Sequence, residues 1–347
     1  MKRRIFLSGA LAAVLPSLSH PQALIPIADA HNHLGLLRRN TESIPVLGQL
    51  MKDSGVSLLS WTITPDAIFT GAVNGGVTQT RIPNPGELKG AYDRQLSAVL
   101  RGLSVNGVKV IKTAEDLGQA ALGVPCACLT IEGADFLEGK LDGLQLAYEQ
   151  GIRHVQLVHY IKNPVGDIQT ERPEHGGLTP FGKELIVALN QQGMLVDLAH
   201  STSESISQAL AVSKAPAIWS HSYISDNPGT WSTAGYRSRA LSIKDAKRIA
   251  DGGGAVGLWS LGASFGGGID GYASEIMNMV NLLGADHVMF GSDQDGLPQG
   301  SVINQLSDLR KVVEALGKKG VEEKVIRAVA FENYARCIKT ALSNRKV

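Results

Sequence analysis

The chain has 347 residues, 44% hydrophobic and 19% charged, with a formal net charge of +1. That balance suits one large globular domain or two small ones, carries no disorder signature, and gives no electrostatic reason to expect nucleic acid or an anionic surface as a partner. Three cysteines, Cys126, Cys128 and Cys337, are too few and too odd in number for a disulfide scaffold. Cys126 and Cys128 alternate along an apparent strand and are expected to face opposite sides as small buried residues.

The first 23 residues read as an export signal. Lys2-Arg3-Arg4 is a basic start, residues 5–18 are mostly apolar, and Pro21-Gln22-Ala23 offers a small-residue cleavage site. The apolar run is short for a membrane-spanning helix. Arg3-Arg4-Ile5-Phe6-Leu7 is similar to a twin-arginine signal, with an ordinary secretory signal as the alternative. The expected product is a single catalytic domain, 24–347, outside the cytoplasm: periplasmic or extracellular, in a bacterium. The polar C-terminus, Ser343-Asn344-Arg345-Lys346-Val347, argues against a membrane tail or lipid anchor there.

Beyond residue 24, short β-rich runs alternate with longer amphipathic ones. The expected strands are 27–31, 56–62, 126–131, 155–158, 195–198, 217–219, 255–259 and 288–290, with helices over 180–192, 203–211, 242–251 and 275–283. Eight parallel βα units are the count of a closed (β/α)8 TIM barrel, whose active site lies at the C-terminal ends of the strands. The segment 69–87, rich in Gly, Asn, Thr and Pro, reads as a long surface loop or lid.

The residues that follow the strands carry the chemistry. Strand one runs into His31-Asn32-His33, strand three into Glu132, strand four into His159, strand five into His200, strand six into His221 and strand eight into Asp293. Of nine histidines in the chain, five fall at these positions, whereas His154 is expected to start strand four on the far side of the barrel. In His31-x-His33 both imidazoles share one strand face and can point into the mouth. Four histidines with one or two carboxylates and no thiolate form a donor set suited to Zn2+, with Mn2+, Co2+ or Fe2+ as substitutes. A single tetrahedral catalytic zinc needs three protein ligands, so the surplus fits two ions with Glu132 as the bridge and a water between them as nucleophile. Asp293 is the expected proton carrier and His159 the expected donor to an oxyanion. Of Arg237 and Arg239, on the long loop after His221, Arg239 is the preferred clamp for a substrate carboxylate.

Six segments together resemble the membrane (renal) dipeptidase family, peptidase family M19, of amidohydrolase-like enzymes. They are Asp29-Ala30-His31-Asn32-His33, Thr130-Ile131-Glu132-Gly133-Ala134, Gly177-Leu178-Thr179-Pro180-Phe181-Gly182, Asp197-Leu198-Ala199-His200-Ser201, Ser220-His221-Ser222 and Phe290-Gly291-Ser292-Asp293-Gln294-Asp295-Gly296. The resemblance implies an amidohydrolase-type barrel that hydrolyses dipeptides, often with a D-residue on the C-terminal side, and that is often dimeric. Carried over by motif, His31 and His33 would bind one zinc, His200 and His221 the second, and Glu132 would bridge them. His159 would contact the reacting carbonyl, Arg239 the substrate carboxylate, and Asp293 would shuttle the proton. The family usually has His-x-Asp at strand one; His33 here removes a negative charge from the first site, so one or two ions per chain stay open. So does the alternative of another amide, lactam or ester as substrate, and that of a non-catalytic binding protein on a degenerate site. Gly35 stands where the family has Pro.

Overall fold

The structure, a computed structural model, describes residues 24–34, 46–73, 76–233, 235–297 and 300–345. The expected export signal and Gly35 lie outside them.

Eight barrel strands follow in chain order: β1 (Ile27–Asn32), β2 (Val56–Ile63), β3 (Cys126–Glu132), β4 (Ile152–Gln156), β5 (Leu195–Asp197), β6 (Trp219–Ser222), β7 (Val256–Leu258) and β8 (Val288–Phe290). Parallel ladders join β1 to β5 in sequence and β6 to β8 in sequence. Two parallel bridges, Asp197 with Ile218 and Asn32 with Gln294, join these two sheets on both sides and close the barrel. The (β/α)8 expectation therefore holds. Helices clothe it from outside, among them α1 (Leu47–Ser54), α2 (Glu87–Val105), α3 (Ala114–Ala121), α4 (Asp142–Glu149), α5 (Pro180–Gln192), α6 (Ser203–Val212), α7 (Ile243–Asp251) and α8 (Gly268–Leu283). Their starts follow local chemistry. Thr179, Thr202 and Ser242 each accept a first-turn amide N–H at α5, α6 and α7, the N-cap that orphan helix donors require.

Strand alternation divides the core in two. Outward residues such as Leu59, Leu129, Val155 and Val196 pack under the helices in one large apolar cluster. The inner cluster mixes small residues, Ala28, Ala30, Cys126, Cys128 and Ala255, with Leu58, Leu195 and Met289, and Phe331, Tyr334 and Ile338 near the C-terminus pack against them. Above this floor lies a polar layer. Tyr334 Oη is 2.6 Å from Ser60 Oγ and 3.0 Å from His154 Nδ1, and His154 Nε2 is 3.1 Å from Asp197 Oδ2. The inward face of β3 thus climbs from Cys126 and Cys128 through Thr130 to Glu132 at the mouth. Near its top the barrel is tight: a Cβ on Gly257 or Gly291 would fall 1.9 or 1.7 Å from the Ser220 carbonyl oxygen.

Four expectations change. Cys126 and Cys128 share one face, because residues two apart in a strand point the same way, and both thiols are free and buried in the same cluster. β4 begins at Ile152, so His154 lies inside the barrel. Arg153, whose polarity made 155 look like the start, donates to the carbonyls of Lys112, Tyr148 and Ile152. Segment 69–87 is not an open loop: Thr70–Val73 and Gly76–Gln79 form an antiparallel hairpin in which β-branched Thr70, Val77 and Thr78 favour strand. α8 starts at Gly268 rather than 275, carried through its glycines by the buried face Tyr272, Ala273, Ile276, Met279 and Leu283.

Candidate metal centre and active site

Each strand end delivers its polar side chain to the same place. The Glu132 carboxylate stands at the centre, almost fully buried. Its Oε1 lies 3.5 Å from His31 Nε2, 3.3 Å from His159 Nε2, 3.3 Å from His200 Nε2 and 3.6 Å from His221 Nε2. Its Oε2 lies 3.3 Å from His33 Nε2. His31 and His33 bring their Nε2 atoms to 3.1 Å, and His200 and His221 bring theirs to 3.3 Å. Asp293 Oδ1 completes the group, 3.3 Å from His33 Nε2 and 3.8 Å from His31 Nε2.

These spacings fit a cation centre. Tetrahedral Zn2+ with bonds of about 2.0–2.2 Å sets its ligand atoms roughly 3.3–3.6 Å apart, and most of the separations above fall on or near that range. Imidazole nitrogens facing one another share at most one hydrogen bond, whereas an ion accepts both lone pairs. The donor atoms form three overlapping groups: His31, His33 and Asp293; His31, Glu132 and His221; and Glu132, His159 and His200, with Glu132 Oε2 facing His33 and Oε1 facing the other four histidines.

The supporting contacts fix the rings. Ser220 Oγ meets His221 Nδ1 at 2.9 Å and His31 Nδ1 at 3.4 Å, and Thr64 Oγ1 lies 3.3 Å from both His33 Nδ1 and Glu132 Oε2. Such outer contacts set the tautomer and aim of a ligating imidazole. Asp29 ties β1 to the segment after β8: it accepts Ser292 N–H at 2.8 Å, Ser292 Oγ–H at 2.6 Å and the Asn32 amide at 2.9 Å. Asp293 is then held against β1 by its own N–H on the His31 carbonyl, 3.0 Å. His200 and Asp293 adopt left-handed backbone, φ 68° and 54°, which is uncommon for non-glycine residues. Gly296 is required nearby, since a Cβ there would fall 2.1 Å from Asp293 Oδ1 and 2.5 Å from His33 Cδ2.

Burial and charge act oppositely on the imidazoles. Burial, reinforced by His221, holds His31 well below the ordinary histidine range, and burial with Arg239 does the same to His200. Burial also pulls on His33, but hydrogen bonds to Asp293 and Glu132 outweigh it and push the group up to about 10. For Glu132, burial is overcome by the surrounding imidazoles, which hold the carboxyl well below its usual value.

Arg239 is buried and Arg237 exposed, so only the former reaches the site. Its Nη1 donates to Gln169 Oε1 at 2.5 Å, Nη2 lies 3.2 Å from His221 Nε2, and the guanidinium stands 5.9 Å over Tyr160 and 6.0 Å over Trp259. His159 lies between Glu132 and a residue the motifs did not single out: its Nδ1 is 2.7 Å from Asp66 Oδ1. Thr64 and Asp66 come from the end of β2, where the sequence reading found no polar group. Thr64-Pro65-Asp66 looks like an ordinary turn, and only its burial marks it. Tyr160 and Gln169 were likewise missed, lying in a long segment between β4 and α5. His175, on the same segment, is exposed, and His287 bonds the Gly254 carbonyl at the other end of the barrel.

Comparison with known proteins shows the family. The membrane dipeptidase family (peptidase family M19) matches residues 25–347. The chain belongs to that family. An uncharacterized dipeptidase of Schizosaccharomyces pombe is 30% identical over 61% of this chain and 52% of its own length. Dipeptidase 3 of Mus musculus is 26% identical over 90% of this chain and 63% of its own. The chain thus spans about half to two-thirds of these relatives. Among solved structures, a metallopeptidase of Rhodobacter sphaeroides liganded with a phosphinate mimic of the dipeptide L-Ala-D-Ala superposes with TM-score 0.78 at 22% identity, covering 91% of this chain and 99% of that one. An amidohydrolase of Pseudomonas aeruginosa gives TM-score 0.72, also at 22% identity, covering 92% and 97%. These two likenesses concern the fold. Among the described residues no helix is long and apolar enough to cross a membrane.

Proposed function

We propose that the protein is a zinc-dependent dipeptidase with a binuclear site, exported by its N-terminal signal. The observation that carries the reading is the buried Glu132 carboxylate, on whose two oxygens His31, His33, His200 and His221 converge. His31, His33 and Asp293 would hold one ion, His200 and His221 the other, and Glu132 both. Ions bound there would polarise the scissile carbonyl and lower the pKa of a coordinated water toward neutrality.

The chain's own groups supply the rest. Arg239 faces the site with its planar fork, steadied by Gln169, and would grip the C-terminal carboxylate of a dipeptide. Anchoring that end would fix where the C-terminal peptide bond lies within the site. His159 Nε2 points inward and would donate to the carbonyl oxygen as negative charge develops on it. The Asp293 carboxylate would take a proton from the attacking water and return it to the leaving amine nitrogen. The family resemblance supports tolerance of a D-residue on the C-terminal side.

Purified protein supplied with Zn2+ or Mn2+ should hydrolyse members of an L,L and L,D dipeptide panel and lose that activity to a chelator. Blocking the C-terminal carboxylate as an amide should abolish most of the turnover. If no dipeptide is cleaved while a lactam, lactone or acyl-amino acid is, the substrate assignment is wrong and the hydrolase reading stands.

A further inference from the structure

The end of β2 carries a carboxylate that none of the family motifs includes. Asp66 is fully buried and uses both oxygens. Oδ1 lies 2.7 Å from His159 Nδ1, and Oδ2 accepts the Tyr160 backbone N–H at 3.2 Å. One carboxylate therefore grips both the ring of His159 and the backbone just after it. The turn that carries Asp66 is itself fixed. The Gln95 side chain in α2 accepts the Thr64 N–H at 2.8 Å and donates to the Thr64 carbonyl at 2.9 Å, and Pro65 restricts the next φ. On the opposite side of the ring, His159 Nε2 faces Glu132 Oε1 at 3.3 Å and the ring meets His200 edge-on at 4.6 Å.

We propose that Asp66 is the positioning residue for His159: its carboxylate accepts the Nδ1–H and so aims Nε2–H at the reacting carbonyl. Resting on the dipeptidase reading, this adds a residue to that site. The hydrogen-bond inventory sharpens the test. Asn at position 66 has one acceptor oxygen for two donors, Tyr160 N–H and His159 Nδ1–H. With its oxygen on Tyr160, the Asn amide would set its own N–H toward His159 Nδ1–H, and the ring would lose the acceptor that aims Nε2.

The expected outcome is that Asp66→Asn lowers kcat about 10–100-fold, as loss of an outer partner of a site histidine does, with KM changed by less than about threefold. Metal content and melting temperature should stay close to wild type. In a His159→Gln background the same substitution should cost less than about twofold, because a residue acting through His159 has nothing left to position. An equal cost in both backgrounds, or an unchanged kcat in Asp66→Asn, would overturn the proposal. A second measurement needs no Asp66 variant and no turnover. Long-range proton–nitrogen NMR of histidine-labelled wild type, assigned by His159→Gln, should show a hydrogen-bonded proton on Nδ1 of His159. A bare Nδ1 would refute the assignment even if the protein folds and cleaves dipeptides, while its presence in a protein inert toward dipeptides would locate the failure in the substrate reading.

Discussion

His33→Asp tests the centre most directly, because its effect should reverse sign with cation. His33 Nε2 lies 3.3 Å from both Glu132 Oε2 and Asp293 Oδ1, and those partners push its pKa up to about 10. Free of metal at neutral pH, a positive ring therefore sits between two carboxylates. An Asp there removes that charge and adds a third negative one. A unit-charge pair at about 4 Å is worth on the order of 4 kcal/mol at an effective dielectric of 20, and breaking a buried pair costs about 3–5 kcal/mol. For a domain of this size each kcal/mol shifts the melting midpoint by about 2 °C, so in chelator the variant should melt roughly 6–10 °C below wild type. With Zn2+ present the third carboxylate becomes a ligand, and the metal-induced rise in Tm should be larger for the variant. Thermal denaturation in chelator and across a Zn2+ series, with elemental analysis of the same samples, measures both. Equal midpoints in chelator, or a smaller metal-induced rise in the variant, would refute the charge argument.

Arg239→Lys removes the fork that Gln169 steadies; KM for dipeptides should rise about 10–100-fold with kcat within about threefold, and wild type and variant should converge on dipeptide amides. Tyr334→Phe takes a hydroxyl from Ser60 and His154 inside the barrel and should cost about 1–3 kcal/mol in urea denaturation while leaving kcat unchanged. Burial works to raise the Asp167 carboxyl, but the amide N–H groups of Gly177, Glu174 and His175 outweigh it and hold it below its ordinary value. Because the folded pKa is depressed, the stability it contributes is present above the unfolded value of about 3.9 and disappears as pH falls through the folded one. Asp167→Asn should therefore be less stable than wild type at neutral pH, with the gap closing below about pH 4 in urea midpoints measured across pH.

Much of the centre is legible in the sequence because a parallel barrel turns order along the chain into place around a mouth. A polar residue just past a buried strand has one direction open to it, so His31, His33, Glu132, His200, His221 and Asp293 could be read from strand-end position alone. The column of small inward residues beneath Glu132 was not read there, because Cys126 and Cys128 were expected on opposite faces and share one. What lies one contact further out was decided by tertiary structure. Asp66 and Thr64 sit in a turn whose composition is that of any turn, and only the pairing of β2 between β1 and β3 turns them toward His33 and His159. Gln169 meets Arg239 across 70 positions of sequence, and Tyr334 enters the barrel near the C-terminus to bond a layer built by β2 and β4. A side chain's partner at that distance depends on which surfaces pack together, and local propensity and spacing hold no record of it. His154 shows the same limit in reverse: its sequence position suggested an outlying ring, and burial between Asp197 and Tyr334 made it part of the interior.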